Sequence, residues 1–381
     1  MRYDTFTNPA GRFVPTLDGI RAFVPNPLPP NLDMAAIADS LGDARAALGE
    51  LRGACRRLQN PMILIRPLQR REALTSSAME GTYSTDDELV LAEAGLAPAP
   101  SDDTQEVANF VRALSGALFR IGDEPITNRL IRDAHRVLMT RLSRYRGAHR
   151  HPGEFKRDQN MIWGADLRTA RFIPPPPRDA LDCMTDLERY INREPKPHAG
   201  EALLDLALVH YQFETIHPFA DGNGRVGRML ISLMAVSTGL LDSPALYLSP
   251  AIEQEKDAYI DAMYAVSARS EWTAWIDFFC QAVCRSCHQT IETIDRLIDL
   301  EQDYRNRITA IKSGNAATIV SMLFESPAIT PGRVAERLSI SDMGARKLLS
   351  RMAELGLIQE VAGLYPKAYI AEGIIAAARG R

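Results

Sequence analysis

The stretch that most constrains this chain is HPFADGNGRVGR, residues 217–228, which sets a histidine, an acid, an asparagine, two arginines and three glycines between two apolar-periodic segments. Gly222, Gly224 and Gly227 spell G-x-G-x-x-G, and Asp242 lies twenty residues past the first of them. A dinucleotide fold would need a strand before the first glycine and a βαβ unit around it. The preceding LLDLALVHYQFETI instead places Leu203, Leu206, Ala207, His210, Phe213 and Ile216 at helical spacing, and no strand is discernible after Gly227. A Walker loop is excluded as well, since no lysine followed by Ser or Thr ends the run. What remains is helix, glycine-rich loop, helix.

Such a loop aims several backbone N–H groups at one point, and the following helix adds the positive end of its dipole, which together make a phosphate cradle. Gly222 and Gly224 permit close backbone approach, and Asn223 can turn its amide towards an oxygen. Arg225 and Arg228, three apart, can both face a polyphosphate. Asp221 is placed to hold Mg²⁺, which takes one or two carboxylates and completes its shell with phosphate oxygens and water. His217 can accept a hydroxyl proton near neutral pH as that hydroxyl attacks phosphorus. Phe219 anchors the loop in the core.

Around this loop the chain reads as mainly α. Helical spacing is predicted from Asp33 to Leu58, from Pro67 towards Glu80 with Gly81 as the stop, at 103–121, and at 127–142 behind a Thr127 cap. It returns at 178–192, 199–216, 225–239, 251–268 and 271–310, whereas residues 1–33 read as an extended arm. The runs MIW and RFI on either side of GADLRTA predict a β-hairpin ended by four prolines. After Thr330-Pro331 the order is helix, turn, helix, then two short strand-like runs, the order of a winged helix. The expected division is 1–98, a helical N-terminal region; 99–305, the helical core; and 306–381, a small α+β module.

With 46% hydrophobic residues the 381-residue chain can bury a sizeable core, and a net charge of −4 argues against global attraction to nucleic acid or a membrane surface. No apolar run is long enough to span a bilayer and no leader-like segment is legible, so a cytoplasmic location is the expectation. Five cysteines are too few for a disulfide framework. Cys280, Cys284 and Cys287 before His288 superficially suggest metal or haem, yet their spacing continues the apolar stripe of Trp275, Ile276, Phe279 and Val283, as a buried helix face would.

HPFADGNGRVGR matches HxFx(D/E)GNGRxxR, and on it the chain resembles the Fic family of protein adenylyltransferases. The resemblance implies an all-helical core and AMP transfer from ATP to a Ser, Thr or Tyr hydroxyl of a protein, including the chain itself. It makes His217 the base, Asp221 the Mg²⁺ ligand, and Gly222, Asn223, Gly224, Arg225, Gly227 and Arg228 the nucleotide-binding residues. Met161, Ile162, Trp163, Phe172 and Ile173 resemble the family's flap, which holds a target segment by main-chain pairing. FVPNPLPP and LYLSPAIEQEKDAYIDAMY extend the likeness over nearly the whole chain, with Ile260 a departure where a second aromatic is expected after Tyr259.

Ser76, Glu80 and Gly81 in REALTSSAMEGTYS fit (S/T)xxxE(G/N), which resembles the family's inhibitory motif. That implies Glu80 pairing with Arg228 and closing the γ-phosphate position; in some relatives the same glutamate supports removal of AMP. In RVAERLSISDMGARKLLSRMAELGLI, Arg346, Lys347 and Arg351 lie on the second helix, and residues 310–381 carry nine Lys and Arg against six Asp and Glu, a net +3. This leaves DNA binding and protein docking or homodimer formation open together. Two further readings stand beside AMP transfer: a transcriptional regulator with a nucleotide-sensing core, and a transferase of UMP or phosphocholine.

Overall fold

The computed structural model describes residues 1–58, 61–96, 100–142, 151–194, 199–311 and 313–379, with backbone alone at 61–64 and 199–200. The expected boundary at 98/99 lies outside the described residues. The chain opens with an antiparallel pair, β1 (Gly11–Pro15) and β2 (Arg21–Pro25), in register Phe13 opposite Phe23. This replaces the extended arm expected over 1–33. Its strands are five residues each and bounded by prolines, too short for alternation to stand out.

Four helices follow: α1 (Ala38–Arg56), α2 (Pro61–Ala78), α3 (Asp86–Glu93) and α4 (Asp102–Arg120). Helix α2 begins at Pro61 rather than Pro67, and Pro67 sits inside it, forfeiting one main-chain bond. Helix α5 (Asn128–Leu138) starts at Thr127, whose hydroxyl accepts from Leu130 N at 3.2 Å. Then come α6 (Pro177–Ile191), α7 (Ala199–Ile216) and α8 (Asn223–Ser237). The single helix expected at 251–268 is two, α9 (Ser249–Glu253) and α10 (Lys256–Arg269), before the long α11 (Trp272–Ile308).

The C-terminal part runs α12 (Gly314–Glu325), β3 (Ala328–Ile329), α13 (Pro331–Leu338), α14 (Asp342–Glu354), β4 (Gln359–Glu360), β5 (Tyr369–Ile370) and α15 (Glu372–Arg379). Its strands form an antiparallel sheet in the order β3-β5-β4. Thr330 and Ser341 cap α13 and α14 by accepting from Arg333 N and Gly344 N.

The residues fall into two compact units, Met1–Gly49 with Asn109–Cys287, and Glu50–Ala108 with His288–Arg381. In the first, α7 is the central helix: Tyr211, Phe213 and Ile216 are fully buried, and Trp275 of α11 donates its indole N–H to Ala207 O at 3.0 Å. Cys280 and Cys287 are buried along α11 with Val283, and burial pushes the Cys280 thiol up to about 12. In the second, α2 packs against α12 and α15, and Val90 of α3 shares a core with Ala328, Ile370 and Ile375. Among the described residues no helix is long and apolar enough to cross a membrane.

Candidate active site

Helix α7 ends at Ile216 because Pro218 disfavours helical backbone at the residue before it. His217 takes a left-handed conformation, φ 49°, which costs a non-glycine residue about 1 kcal/mol and aims its ring out of the helix path. Its N–H still reaches Phe213 O at 3.0 Å. Ring Nδ1 lies 3.3 Å from Glu214 O, and since a carbonyl only accepts, that contact puts the proton on Nδ1 and the basic lone pair on Nε2.

Phe219 is the loop's apolar anchor. It is fully buried and stacks on His135 with ring centroids 3.8 Å apart and planes 8° from parallel. Asn223 braces the same residue, accepting from Phe219 N and donating to Phe219 O, both at 2.8 Å. Its side-chain amide is thus spent on the loop, while its main-chain N–H at the start of α8 lies outside the helix's own ladder.

Gly222, φ 77°, ends the loop in a left-handed N-cap that glycine adopts without strain. Helix α8 therefore begins with the N–H groups of Asn223, Gly224 and Arg225 outside the intrahelical ladder, the arrangement that receives phosphate. Asp221 Oδ1 accepts from Gly222 N at 2.6 Å and lies 3.8 Å from Arg225 Nη2, its side chain 49% exposed. Arg225 and Arg228 are both buried, so their charge acts in a medium poorer in water than a surface pair would meet. Gly227 is required by a close approach: a Cβ there would stand 2.0 Å from Glu214 Oε1.

Two histidines support this loop. Gly153 N donates to His135 Nδ1 at 2.9 Å, so Nε2 carries the proton and donates to Asp221 O at 3.0 Å. Burial holds His135 neutral, down to about 4. His210 Nδ1 faces Gly227 O at 3.2 Å, which fixes the opposite tautomer, and Nε2 accepts from Tyr259 OH at 2.9 Å. Burial, then the nearby Arg228 charge, lowers His210 to about 3. Ile260, where a second aromatic was expected, is a buried packing residue.

The flap is shorter than a full hairpin: Ile162 and Phe172 exchange both main-chain bonds as one isolated bridge. Asp166 and Thr169 close its turn, Asp166 Oδ1 accepting from the N–H groups of Arg168 and Thr169 at 2.9 Å. Met161, Ile173, Ala22 and Ala170 pack together at its base, and Phe172 meets Phe23 edge-on at 5.6 Å. Trp163 at the outer side is 51% exposed. A cavity of about 600 Å³ opens between flap and loop, lined by Phe155, Lys156, Asn160, Met161, Leu167 and Ala220 among others.

Ser76, Glu80 and Gly81 belong to the other unit. Gly81, φ 80°, donates to Ala78 O and Thr82 to Ser77 O, a Schellman stop that leaves Ser76 buried and Glu80 exposed at the helix end. The donor set around the loop fits a Mg²⁺ ion of the kind that arrives with its substrate. One exposed carboxylate, Asp221, stands beside unladdered amides, and among the described residues no three His, Cys, Asp or Glu converge into a cage.

His135, His210, Lys156 and Asn160 carry the loop's support and were not singled out from sequence as site residues. His210 read only as one position of an apolar stripe, and the other three act across long separations that no local spacing marks.

The class the fold and site define is a mainly helical protein with a glycine loop at a helix start, a histidine before it and a short bridged turn beside it. The Fic/DOC family N-terminal model matches residues 38–118 and the Fic/DOC family model residues 125–235, together just over half of the chain. The chain belongs to the Fic/DOC family. It is 31% identical over 113 residues to a probable protein adenylyltransferase of Aquifex aeolicus, covering 29% of this chain and 33% of that one. It is 34% identical over 116 residues to the protein adenylyltransferase Fic of Drosophila melanogaster, covering 30% and 20%. The chain thus spans about a third and a fifth of these curated relatives. A Fic family protein from Desulfovibrio desulfuricans G20 shares the fold over 90% of this chain and 98% of its own, with TM-score 0.58 at 19% identity.

Proposed function

We propose that the protein transfers AMP from ATP to a hydroxyl of a protein. The observation that carries this reading is the single loop that presents the His217 ring and the unladdered N–H groups of α8, in a chain whose relatives are named protein adenylyltransferases. His217 Nε2 takes the proton as the target oxygen bonds to the α-phosphorus and the bond to pyrophosphate breaks. The amides of Asn223, Gly224 and Arg225, with Arg225 and Arg228, hold the phosphates; Gly222 and Gly227 allow the backbone its close approach. Asp221 would hold Mg²⁺, which when bound neutralises phosphate charge. Met161, Ile162 and Trp163 with Phe172 and Ile173 offer the target an edge to pair with.

On this reading Ser76, Glu80 and Gly81 form a brake in which Glu80 pairs with Arg228. Holding about 99% of molecules inactive needs roughly 2.7 kcal/mol, within reach of one charged pair. Incubating wild type, Glu80→Gly and His217→Ala with Mg²⁺ and ATP labelled on the α-phosphate tests base and brake together. Label strongest in Glu80→Gly and absent in His217→Ala is expected. Label from UTP or CDP-choline and none from ATP would overturn the AMP assignment.

We read residues 306–381 as a winged-helix module on the helix–turn–helix and three-stranded sheet it forms. Arg346 is bound to Asp342 at 2.7 Å and Arg351 to Glu354 at 3.5 Å, so α14 offers a duplex little net charge. Met343 (81%) and Tyr365 (99%) stand exposed in the same module. This composition favours a protein partner, a second copy included, over DNA. Salt-insensitive association that ends when residues 306–381 are removed is the expected outcome; steeply salt-dependent retention of duplex DNA would reverse it.

A further inference from the structure

Four consecutive carbonyl oxygens, from Ile216 through Phe219, flank and include the His217 position, and all four are held by two residues of the segment that leads into the flap. Lys156 Nζ donates to Ile216 O at 3.2 Å, Asn160 Nδ2 to His217 O at 2.9 Å, Lys156 N to Pro218 O at 2.7 Å, and Asn160 Nδ2 to Phe219 O at 3.0 Å. The two are themselves joined, Lys156 Nζ donating to Asn160 Oδ1 at 2.7 Å. We propose that Lys156 and Asn160 are the positioning residues of this active site, a clamp that fixes the His217 main chain and ties it to the base of the flap.

Chemistry and burial argue for a dedicated role. Lys156 is 5% exposed, and its ammonium meets carbonyl and amide oxygens instead of a carboxylate. Burial drives its pKa well below the ordinary lysine value, a cost that would be avoided by an apolar residue if packing were the only need. Its place beside the last carbonyl of α7, at the negative end of that dipole, offsets part of the cost. Asn160 precedes Met161, the first flap residue. Gln159 Nε2 bridges Asn160 O and Pro174 O, each at 2.9 Å, and so closes the two flap ends onto the same anchor. His217 stands in a left-handed conformation that relaxes unless its neighbours over-determine it. The clamp supplies that determination together with Asn223, which shares the Phe219 carbonyl with Asn160.

The inference rests on AMP transfer for its kinetic readout, and a second readout stands apart from it. Asn160→Asp separates the two halves of the clamp: a carboxylate keeps and strengthens the bond from Lys156 but donates nothing to His217 O or Phe219 O. In a Glu80→Gly background Asn160→Asp is expected to lower kcat about 10²-fold, with KM for ATP within about threefold and Tm unchanged. Lys156→Met is expected to lose kcat in the same way and Lys156→Arg to restore part of it. Hydrogen exchange of the Lys156 amide, which is bonded to Pro218 O, is expected to quicken in Asn160→Asp. A kcat within about twofold of the parent, or a loss confined to KM, overturns the clamp. So does exchange that is unchanged at equal stability. Absence of AMP transfer from Glu80→Gly itself overturns the AMP assignment instead, and the exchange measurement then decides the clamp alone.

Discussion

At the scale of single residues the loop is determined by what each neighbour leaves room for. Gly227→Ala would drive a methyl into the Glu214 carboxylate, 2.0 Å away, and force that buried side chain to move. A loss of about 1–3 kcal/mol in denaturant unfolding is expected, with AMP transfer lost further than stability alone explains. His135 gives the site an acid limit. Its folded pKa, about 4, lies below the ordinary 6.5, so between those values the unfolded chain binds a proton that the native chain does not. Stability is whole above pH 6.5, falls as pH drops towards 4, and loses about 3 kcal/mol by the lower end. His135→Gln, which keeps a donor for Asp221 O, should lessen the slope of Tm against pH in that range, and the slope left over includes that of His210, lowered to about 3. His217, the glycines and the arginines were legible because their identities are chemical and their spacing local. His135 was not, since its meaning is a bond to Asp221 O, 86 positions away.

At the scale of elements the helices were the readable part, and the places where sequence and structure part company have physical causes. Thr127 and Thr330 mark helix starts, and each does accept from the N–H three residues on, while Ser341, which read as part of a tight turn, caps α14 in the same way. Pro67 read as a start because proline favours the first turn, yet α2 carries it internally, where packing of the rest of the helix outweighs one missing bond. The β1–β2 pair escaped notice because five-residue strands ending in proline show too little alternation. Gly81 shows the reverse, a stop legible in sequence whose Schellman bonds the structure supplies. Space around it is open, so Gly81→Ala should cost only the left-handed backbone, about 1 kcal/mol, and Gly81→Asn less. Urea unfolding of the two variants checks this. A larger loss in both would mean that the turn is held by contacts beyond its own backbone.

At the scale of the whole molecule, the helix that carries Ser76 and leads to Glu80 shares its unit with the C-terminal module. Arg70, in the middle of α2, pairs with Glu93 of α3 at 2.6 Å and donates to Glu325 O, the last carbonyl of α12, at 3.0 Å. That pair is nearly dry, with side chains 8% and 19% exposed, and removing one partner strands the other charge at a cost of up to about 3 kcal/mol. Nothing in the sequence marked Arg70, since its partners lie 23 and 255 positions away. If the brake depends on how α2 is held, then Arg70→Met should raise AMP transfer in an otherwise wild-type chain without touching the inhibitory residues. In Glu80→Gly, which on the proposed reading lacks the brake, the same substitution should add nothing. The cycle of four proteins therefore separates coupling from damage: equal loss of activity from Arg70→Met in both backgrounds means plain destabilisation. A rise confined to the Glu80 background means that the packing of α2 against α3 and α12, which Arg70 joins, sets the proposed brake.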